Sequence, residues 1–375
     1  MAGTLLLCVA LIITTPLVSF FEDIGKDARA RGMANAIAAL YGDVHSIHYN
    51  PAGTARTRSL ELNLIYSKPL TMGDLNDESA FNNISGAVLM PFTTGLNTSW
   101  IIRWLFHALT WGNESFMFQN GAAGLAFDHS DNAGLSRETQ ITFNYSRIMD
   151  DVLFKGAHFS FGFNFDFYLI NISLNGENIS VPKTSSFAFG LDFGLIYRFS
   201  ENFTLAAVVE NLVRPNHSFF NDGLGDDLSP MNIKLGSSIY FSKLLFFEDL
   251  TINLMYVKYG KYESSDDTAA AASYHLGFES WWFKRHFAFR GGLQLGDDEM
   301  NEFTTGITLL LPLGYHFLSI DYAFTLPVSG IQTTRHIMAL TWKWEQPRWR
   351  FEYDKKKAAE MRWVAELEQK QRKQK

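Results

Sequence analysis

From residue 59 onward the chain alternates. Phe159, Phe161, Phe163, Phe165, Phe167 and Leu169 share one parity, while Ser160, Gly162, Asn164 and Asp166 share the other. The pattern repeats with Phe187, Phe189, Leu191, Phe193, Leu195 and Tyr197 set against Ala188, Gly190, Asp192, Gly194 and Arg198. Leu250, Ile252, Leu254 and Tyr256 oppose Thr251 and Asn253, and Leu60, Leu62, Leu64 and Tyr66 oppose Glu61 and Asn63. Successive side chains of a strand point to opposite faces, so a sustained period of two describes strands with hydrocarbon on one side and water on the other. It predicts strands over 59–67, 82–92, 116–128, 137–147, 156–171, 185–199, 202–213, 231–242, 249–260, 271–282, 285–296, 302–312, 315–325 and 334–344. An even count of strands, each near the roughly 9 to 11 residues a tilted strand needs to cross a bilayer, predicts an all-β fold. The expected architecture is a transmembrane antiparallel β-barrel of about 14 strands over residues 58–344.

Link lengths orient it. Ser200-Glu201, Phe283-Lys284 and Leu313-Gly314 are short, whereas Pro69 to Phe81, Ile172 to Ser186, Arg214 to Pro230 and Lys261 to Ala270 are longer and polar. Outer-membrane barrels keep short turns on the periplasmic side, so odd-numbered strands are expected to start there. Trp281, Trp282, Trp342, Trp344, Tyr315 and Tyr322 lie near strand ends, as an interfacial girdle would.

Composition narrows the class further. Phe (33), Tyr (14) and Trp (9) are abundant, yet the mean hydropathy is −0.05, so apolar and polar residues must be finely interleaved. The body has no apolar run of the length a helical span needs. A soluble sandwich or propeller also alternates, but it buries its aromatic residues. The one long apolar run, Gly3 to Phe21, is broken by Pro16 and reads as a signal peptide over 1–19, cleaved near Ser19, with the cell outer membrane as destination. An uncleaved anchor is the alternative, because no Lys or Arg precedes Lys26. Cys8 is the only cysteine, so a cleaved chain has no thiol chemistry. Of the net charge of −7, residues 354–375 carry +4, which leaves a body of −11 with little attraction for nucleic acid.

Parity assigns Glu61, Asp166, Asp192, Arg198, Glu210, Lys234, Glu279, Arg290 and Asp321 to the lumen, where they pair across the barrel and anchor a plug, or else line a water path or bind a headgroup. Lipid is excluded for them, since an Arg or Lys at the bilayer midplane costs about 2 to 4 kcal/mol. Fourteen strands enclose a space of intermediate width, which needs a filling. Residues 20–57 are the candidate: a small-residue helix from Ala28 to Leu40, then a turn at Asn50, Pro51, Ala52 and Gly53, where the fixed φ of proline holds the chain compact.

The stretch GMANAIAALYGDVHSIHYNPAGTA resembles the N-terminal region of the long-chain fatty acid transporter family of outer-membrane proteins, and FEDIGKDARARGMANA resembles a related branch of secretion-system barrels. The motif covers residues 21–55. The resemblance implies a hatch holding Asn50, Pro51 and Ala52, and a kinked third strand that opens the wall sideways. Glycines inside a strand often mark a bend, so Gly121 and Gly124 are the expected lateral opening, with plain small residues facing the lumen or the hatch as the other reading. Two segments exceed a plain barrel. Leu96 to Gly112 reads as an apolar interfacial helix in which Trp100, Ile101, Trp104 and Leu105 contact membrane or ligand. Residues 345–375 read as a charged, helical periplasmic tail, either solvated or a contact for a periplasmic protein partner.

His45, His48 and Asp43 lie close in sequence but lack a third or fourth convergent ligand, so no metal and no cofactor are expected. No catalytic motif stands out, and no enzyme activity is expected. The resemblance implies passive uptake of long-chain fatty acids or other hydrophobic small molecules from a membrane lipid setting. The alternative is a non-transporting scaffold or secretion-system barrel component.

Overall fold

A strand in a membrane has to pair all its backbone polar groups, which only a closed sheet achieves. The computed structural model describes residues 26–70, 82–92, 121–132, 136–151, 158–172, 185–217, 228–242, 244, 247–260, 271–296, 301–314, 316–328 and 334–344. They form a closed antiparallel barrel of fourteen strands, each hydrogen-bonded to its neighbours in sequence. In chain order these are β1 (Leu60–Leu70), β2 (Asn82–Pro91), β3 (Gly121–Asn132), β4 (Ser136–Asp150), β5 (His158–Ile172), β6 (Ser185–Arg198) and β7 (Phe203–Val213). The second half is β8 (Asn232–Ser242), β9 (Asp249–Lys258), β10 (Ala272–Trp282), β11 (Phe287–Gly296), β12 (Glu302–Leu313), β13 (His316–Pro327) and β14 (Thr334–Trp344). The seam joins β1 to β14 in register from Leu60 opposite Trp344 to Leu70 opposite Thr334. Among the described residues no helix is long and apolar enough to cross a membrane.

The predicted faces are the observed ones. Leu62, Leu64, Phe143, Phe165, Phe189, Leu254 and Phe289 stay exposed on the outside, while Glu61, Asn63, Asn164, Asp166 and Asn253 are buried inside. Predicted and observed strand ends differ most at β3, which runs on to Asn132 instead of ending at 128 before the chain returns from Ser136. There the outer face turns polar: His129 meets Thr139 at 3.0 Å and Arg137 meets Asp131 at 3.2 Å. A strand that leaves the apolar band loses its hydropathy signal before it loses its pairing.

The ladder shifts once between β6 and β7. Leu191 faces Val213 and Phe193 faces Val209, so Glu210, Asn211 and Leu212 stand opposite Asp192 alone. Asn211 takes a φ of 54°, and its N–H donates to Asp192 at 2.8 Å, so the bulge is held by a side chain of the facing strand.

Residues 26–59 lie inside the barrel, and the expected helix over Ala28 to Leu40 is corrected there. Helix α1 spans only Ala28–Arg31, capped by Asp27, which accepts from the N–H groups of Arg29 (2.5 Å) and Ala30 (3.3 Å). The chain then turns through Ala34 and Asn35 at φ of 51° and 61°. Ala34 donates its N–H to Thr304 at 2.9 Å, and its carbonyl lies 2.6 Å from His275 Nδ1. Wall side chains supply the partners a helix would have supplied, so local propensity is overridden. The signal peptide over 1–19, Leu96 to Gly112 with Trp100, Ile101, Trp104 and Leu105, and the tail over 345–375 lie outside the described residues.

Candidate functional site

The site is the contact between the N-terminal segment and the inner wall, and it starts from small residues. At Gly162 on β5 a Cβ would collide with the Pro51 carbonyl, and at Gly277 on β10 with the Met33 carbonyl. Only glycine lets the segment's backbone lie directly on the sheet at these points.

Asn50, Pro51, Ala52 and Gly53 form the tightest part of this contact. Pro51 opens a 3-10 turn over Pro51–Arg56, with Asn50 as its cap. The Asn50 Oδ1 accepts from the Ala52 N–H at 3.0 Å, and its Nδ2 donates to the Ala38 carbonyl at 2.6 Å, so one side chain ties two stretches of the segment. Thr54 Oγ1 lies 2.7 Å from Asn144 Oδ1 on β4, and Asn144 Nδ2 donates to the Pro51 carbonyl at 3.3 Å. Asn50→Ala removes both tethers and leaves the buried Ala38 carbonyl unmet, a cost of about 1–3 kcal/mol. Proteolytic release of the segment at a lower urea concentration than in the wild type measures it.

Among the described residues β3 shows no break at Gly121 or Gly124, against the lateral opening expected there. β3 pairs with β2 from Ala122 to Asp131 and with β4 from Gly121 to Asn132, without a register shift. A Cβ at Gly124 would press on Ile47 of the segment, so this glycine serves close packing against the plugging chain and not a bend.

The lumen charges were placed by parity, and their partners now appear. Arg29 donates to both carboxylate oxygens of Glu279 (2.9 and 2.8 Å) and also pairs with Asp43. Arg290, almost wholly buried, donates to Glu279 at 2.7 Å and to Asp321 at 3.1 Å. Glu279, Arg290 and Asp321 thus converge, bridging β10, β11 and β13 to the segment. Arg31 pairs with Glu302 at 2.6 Å and donates to Thr325 at 3.0 Å. Across the seam, Glu61 takes Lys343 at 3.2 Å and the Val44 N–H at 3.0 Å. Lys234 pairs with Glu210, Asp166 accepts from Gln140 at 2.9 Å, and Asp192 holds the bulge. Arg198 stands apart, at the end of β6 beside the short turn to β7.

Asp27, Arg29 and Arg31 were not singled out by sequence reasoning, and Asp43 only beside His45 and His48 as a metal ligand. The alternating charges of EDIGKDARAR among small residues were the available signal. His45 Nδ1 meets Asp27, while His48 faces Asp128 at 3.6 Å, so the two histidines serve different partners. Among the described residues no group of three or more His, Cys, Asp or Glu is placed to hold a metal ion.

Burial alone would raise the Asp43 carboxyl, but Arg29, His45 and Lys343 outweigh it and hold it at about 2. Burial likewise opposes ionisation of Asp27 and His45, and their mutual contact wins, lowering the acid and raising the base. The signs follow from linkage. The depressed carboxylates stabilise docking fully above their ordinary 3.8, and this is lost as pH falls, through about 2 for Asp43. The raised His45 stabilises docking fully below its ordinary 6.5, and this is lost as pH rises through its folded value. Protease protection of residues 26–58 is therefore expected to be greatest between pH 3.8 and 6.5 and to fall on both sides.

The family described as Type IX secretion system membrane protein PorP/SprF matches residues 112–340. This chain belongs to the PorP/SprF family. The match spans β3 to β13 and most of β14, so nearly the whole wall of this PorP/SprF barrel lies within it. A search of curated proteins finds no match. Among solved structures, the Ralstonia pickettii toluene transporter TbuX aligns with a TM-score of 0.54 at 10% identity, covering 85% of this chain and 98% of its own. A deltaS2 mutant of the monoaromatic hydrocarbon channel TodX aligns with a TM-score of 0.52 at 10% identity, covering 87% and 100%. At such identity the likeness concerns the fold. The PorP/SprF barrel thus shares an architecture with a toluene transporter and a monoaromatic hydrocarbon channel, in line with the resemblance carried by residues 21–55.

Proposed function

We propose that this protein is a sealed barrel component of a type IX secretion machine in the outer membrane, acting as a scaffold and not as an open pore. Family membership supports this reading. The observation that carries it is the buried ion-pair contact of the N-terminal segment with β10 and β12, through Arg29 with Glu279 and Arg31 with Glu302, which suits a barrel used for its outer and end surfaces. The segment then acts as a fixed hatch, and the tail over 345–375 is the expected contact for a periplasmic partner. Chemical crosslinking in native membranes, followed by purification of the full chain, is expected to recover a stable secretion-system protein. Recovery of no protein partner by a folded barrel counts against the scaffold, and recovery unchanged by deletion of 345–375 counts against the tail.

A second reading is passive uptake of long-chain fatty acids or other hydrophobic small molecules, with Trp100, Ile101, Trp104 and Leu105 contacting ligand. The fold shared with a toluene transporter and a monoaromatic hydrocarbon channel supports it. Liposomes bearing the folded barrel are then expected to take up labelled fatty acid or toluene. Neither binding nor uptake removes this reading.

A further inference from the structure

Along the inner face of β3 to β7, carboxylates exceed cations. Asp128 on β3, Asp166 on β5, Asp192 on β6 and Glu210 on β7 all face inward. The register sets Asp166 opposite Gly190, and hence diagonal to Asp192. The described ammonium groups reaching this arc are Lys234, which pairs with Glu210, and Lys26, which donates to Gln140 at 2.6 Å and stands 4.0 Å from Asp128. Asp166 and Asp192 lie within hydrogen-bond reach of each other and are otherwise met by neutral donors: the Gln140 amide at 2.9 Å, the Thr142 hydroxyl and the Asn211 N–H at 2.8 Å. The Arg214 guanidinium next to the bulge donates to the carbonyls of Ser229 (2.8 Å) and Leu228 (3.1 Å).

A separate observation points to a ligand. The His48 imidazole, its side chain 2% exposed, lies 3.6 Å from Asp128 through Nδ1, and its Nε2 has no hydrogen-bond partner. Both carboxylate oxygens of Asp128 and Oδ2 of Asp166 are likewise buried without a hydrogen bond. Buried polar atoms are rarely left so, because each costs free energy until a partner arrives. The rim of the arc is open, since the side chains of Lys26, Glu210 and Asp128 are 21%, 20% and 12% exposed, and Asp166 lies beneath it.

The missing partner has a definable chemistry. Acceptors dominate and the charge surplus is negative, so the ligand must donate hydrogen bonds and carry positive charge. Among the described residues no three of these carboxylate and imidazole groups are placed to hold one metal ion. We propose that this arc binds cationic amines, that is, ammonium groups on an alkyl chain that bridge Asp166, Asp192 and Asp128. The amine is either a free diamine or the side chain of a lysine in a partner segment. The site depends on neither the scaffold nor the uptake reading.

Calorimetric titration of the purified full chain in detergent micelles tests it, with 1,4-diaminobutane as probe, 1,4-butanediol as neutral control and a short lysine-rich peptide as the second arm. The diamine, the peptide or both are expected to bind, with affinity falling as salt is added, while the diol does not. The double variant Asp166→Asn with Asp192→Asn is expected to weaken binding about tenfold or more. Asp131→Asn, on the outer face, keeps the wild-type affinity. Removing like charges is expected to leave the unliganded melting temperature at or above the wild type, which separates lost binding from lost folding. If the double variant melts lower, Asp166→Glu, which keeps the charge, is expected to retain binding that Asp166→Asn loses. Diol binding as tight as the diamine, unchanged affinity in the charge-removing variants, or no heat from either cationic probe overturns the proposal. Binding of the peptide alone assigns the amine to a partner chain, and binding of the diamine alone assigns it to a free amine.

Discussion

A barrel carrying Gly162→Val and Gly277→Val is expected to insert and close but to expel the N-terminal segment. At both positions the new Cβ would collide with segment backbone, the carbonyls of Pro51 and Met33. Backbone cannot rotate away as a side chain can, so the segment has to move. The wall itself tolerates the change, because β-branched residues suit strands. Two readouts follow: protease should cut within residues 26–58 of an otherwise resistant barrel, and conductance in planar bilayers should rise from baseline to that of a steady pore. Gly86→Val is the control. It lies on the outer face of β2, where the nearest atom to a new Cβ is a Leu64 methyl at 3.4 Å. Wild-type protection and conductance in the double variant would show that the segment can shift and still seal.

The second large effect is expected at Arg290. Its guanidinium joins Glu279 and Asp321 where all three are almost fully buried. Arg290→Ala leaves Asp321 without that cation and Glu279 with Arg29 alone, and breaking a buried pair on one side costs about 3–5 kcal/mol. Urea unfolding followed by the heat-modifiable gel shift of barrels measures it. Replacing the group together, Arg290→Met with Glu279→Gln and Asp321→Asn, is expected to recover part of the loss, since no charge is then stranded. A single variant that unfolds at the wild-type urea concentration would mean that water enters and solvates the carboxylates.

Strands were legible in the sequence because one physical variable, lipid against water, repeats every second residue. The same parity put Glu279, Arg290 and Asp321 on the inner face. It could not name their partners, because Arg29 lies 250 residues from Glu279 and a hydropathy period carries no cross-chain distance. The Ala28 to Leu40 helix was over-read from small residues of good propensity, since the hydrogen bonds offered by Thr304 and His275 do not show in local composition. Gly121 and Gly124 were read as a bend for a related reason. A glycine makes room equally well for a kink and for a neighbour, and only the fold tells them apart: Ile47 lies over Gly124, and the Ser146 carbonyl of β4 over Gly121.

The long reach of these contacts bears on the order in which the protein takes shape. Arg31 meets Glu302 and Thr325, 271 and 294 residues further on. The first part of the described chain to be synthesised therefore finds its partners last, and loop closure over such separations is slow. Either the sheet curls around a chain already lying in its bore, or the bore stands empty until that chain threads back through a mouth. In the first case residues 26–59 act as a mandrel around which the final strands are wound, and the seam that Glu61 shares with Lys343 and Val44 closes only when the mandrel is in place.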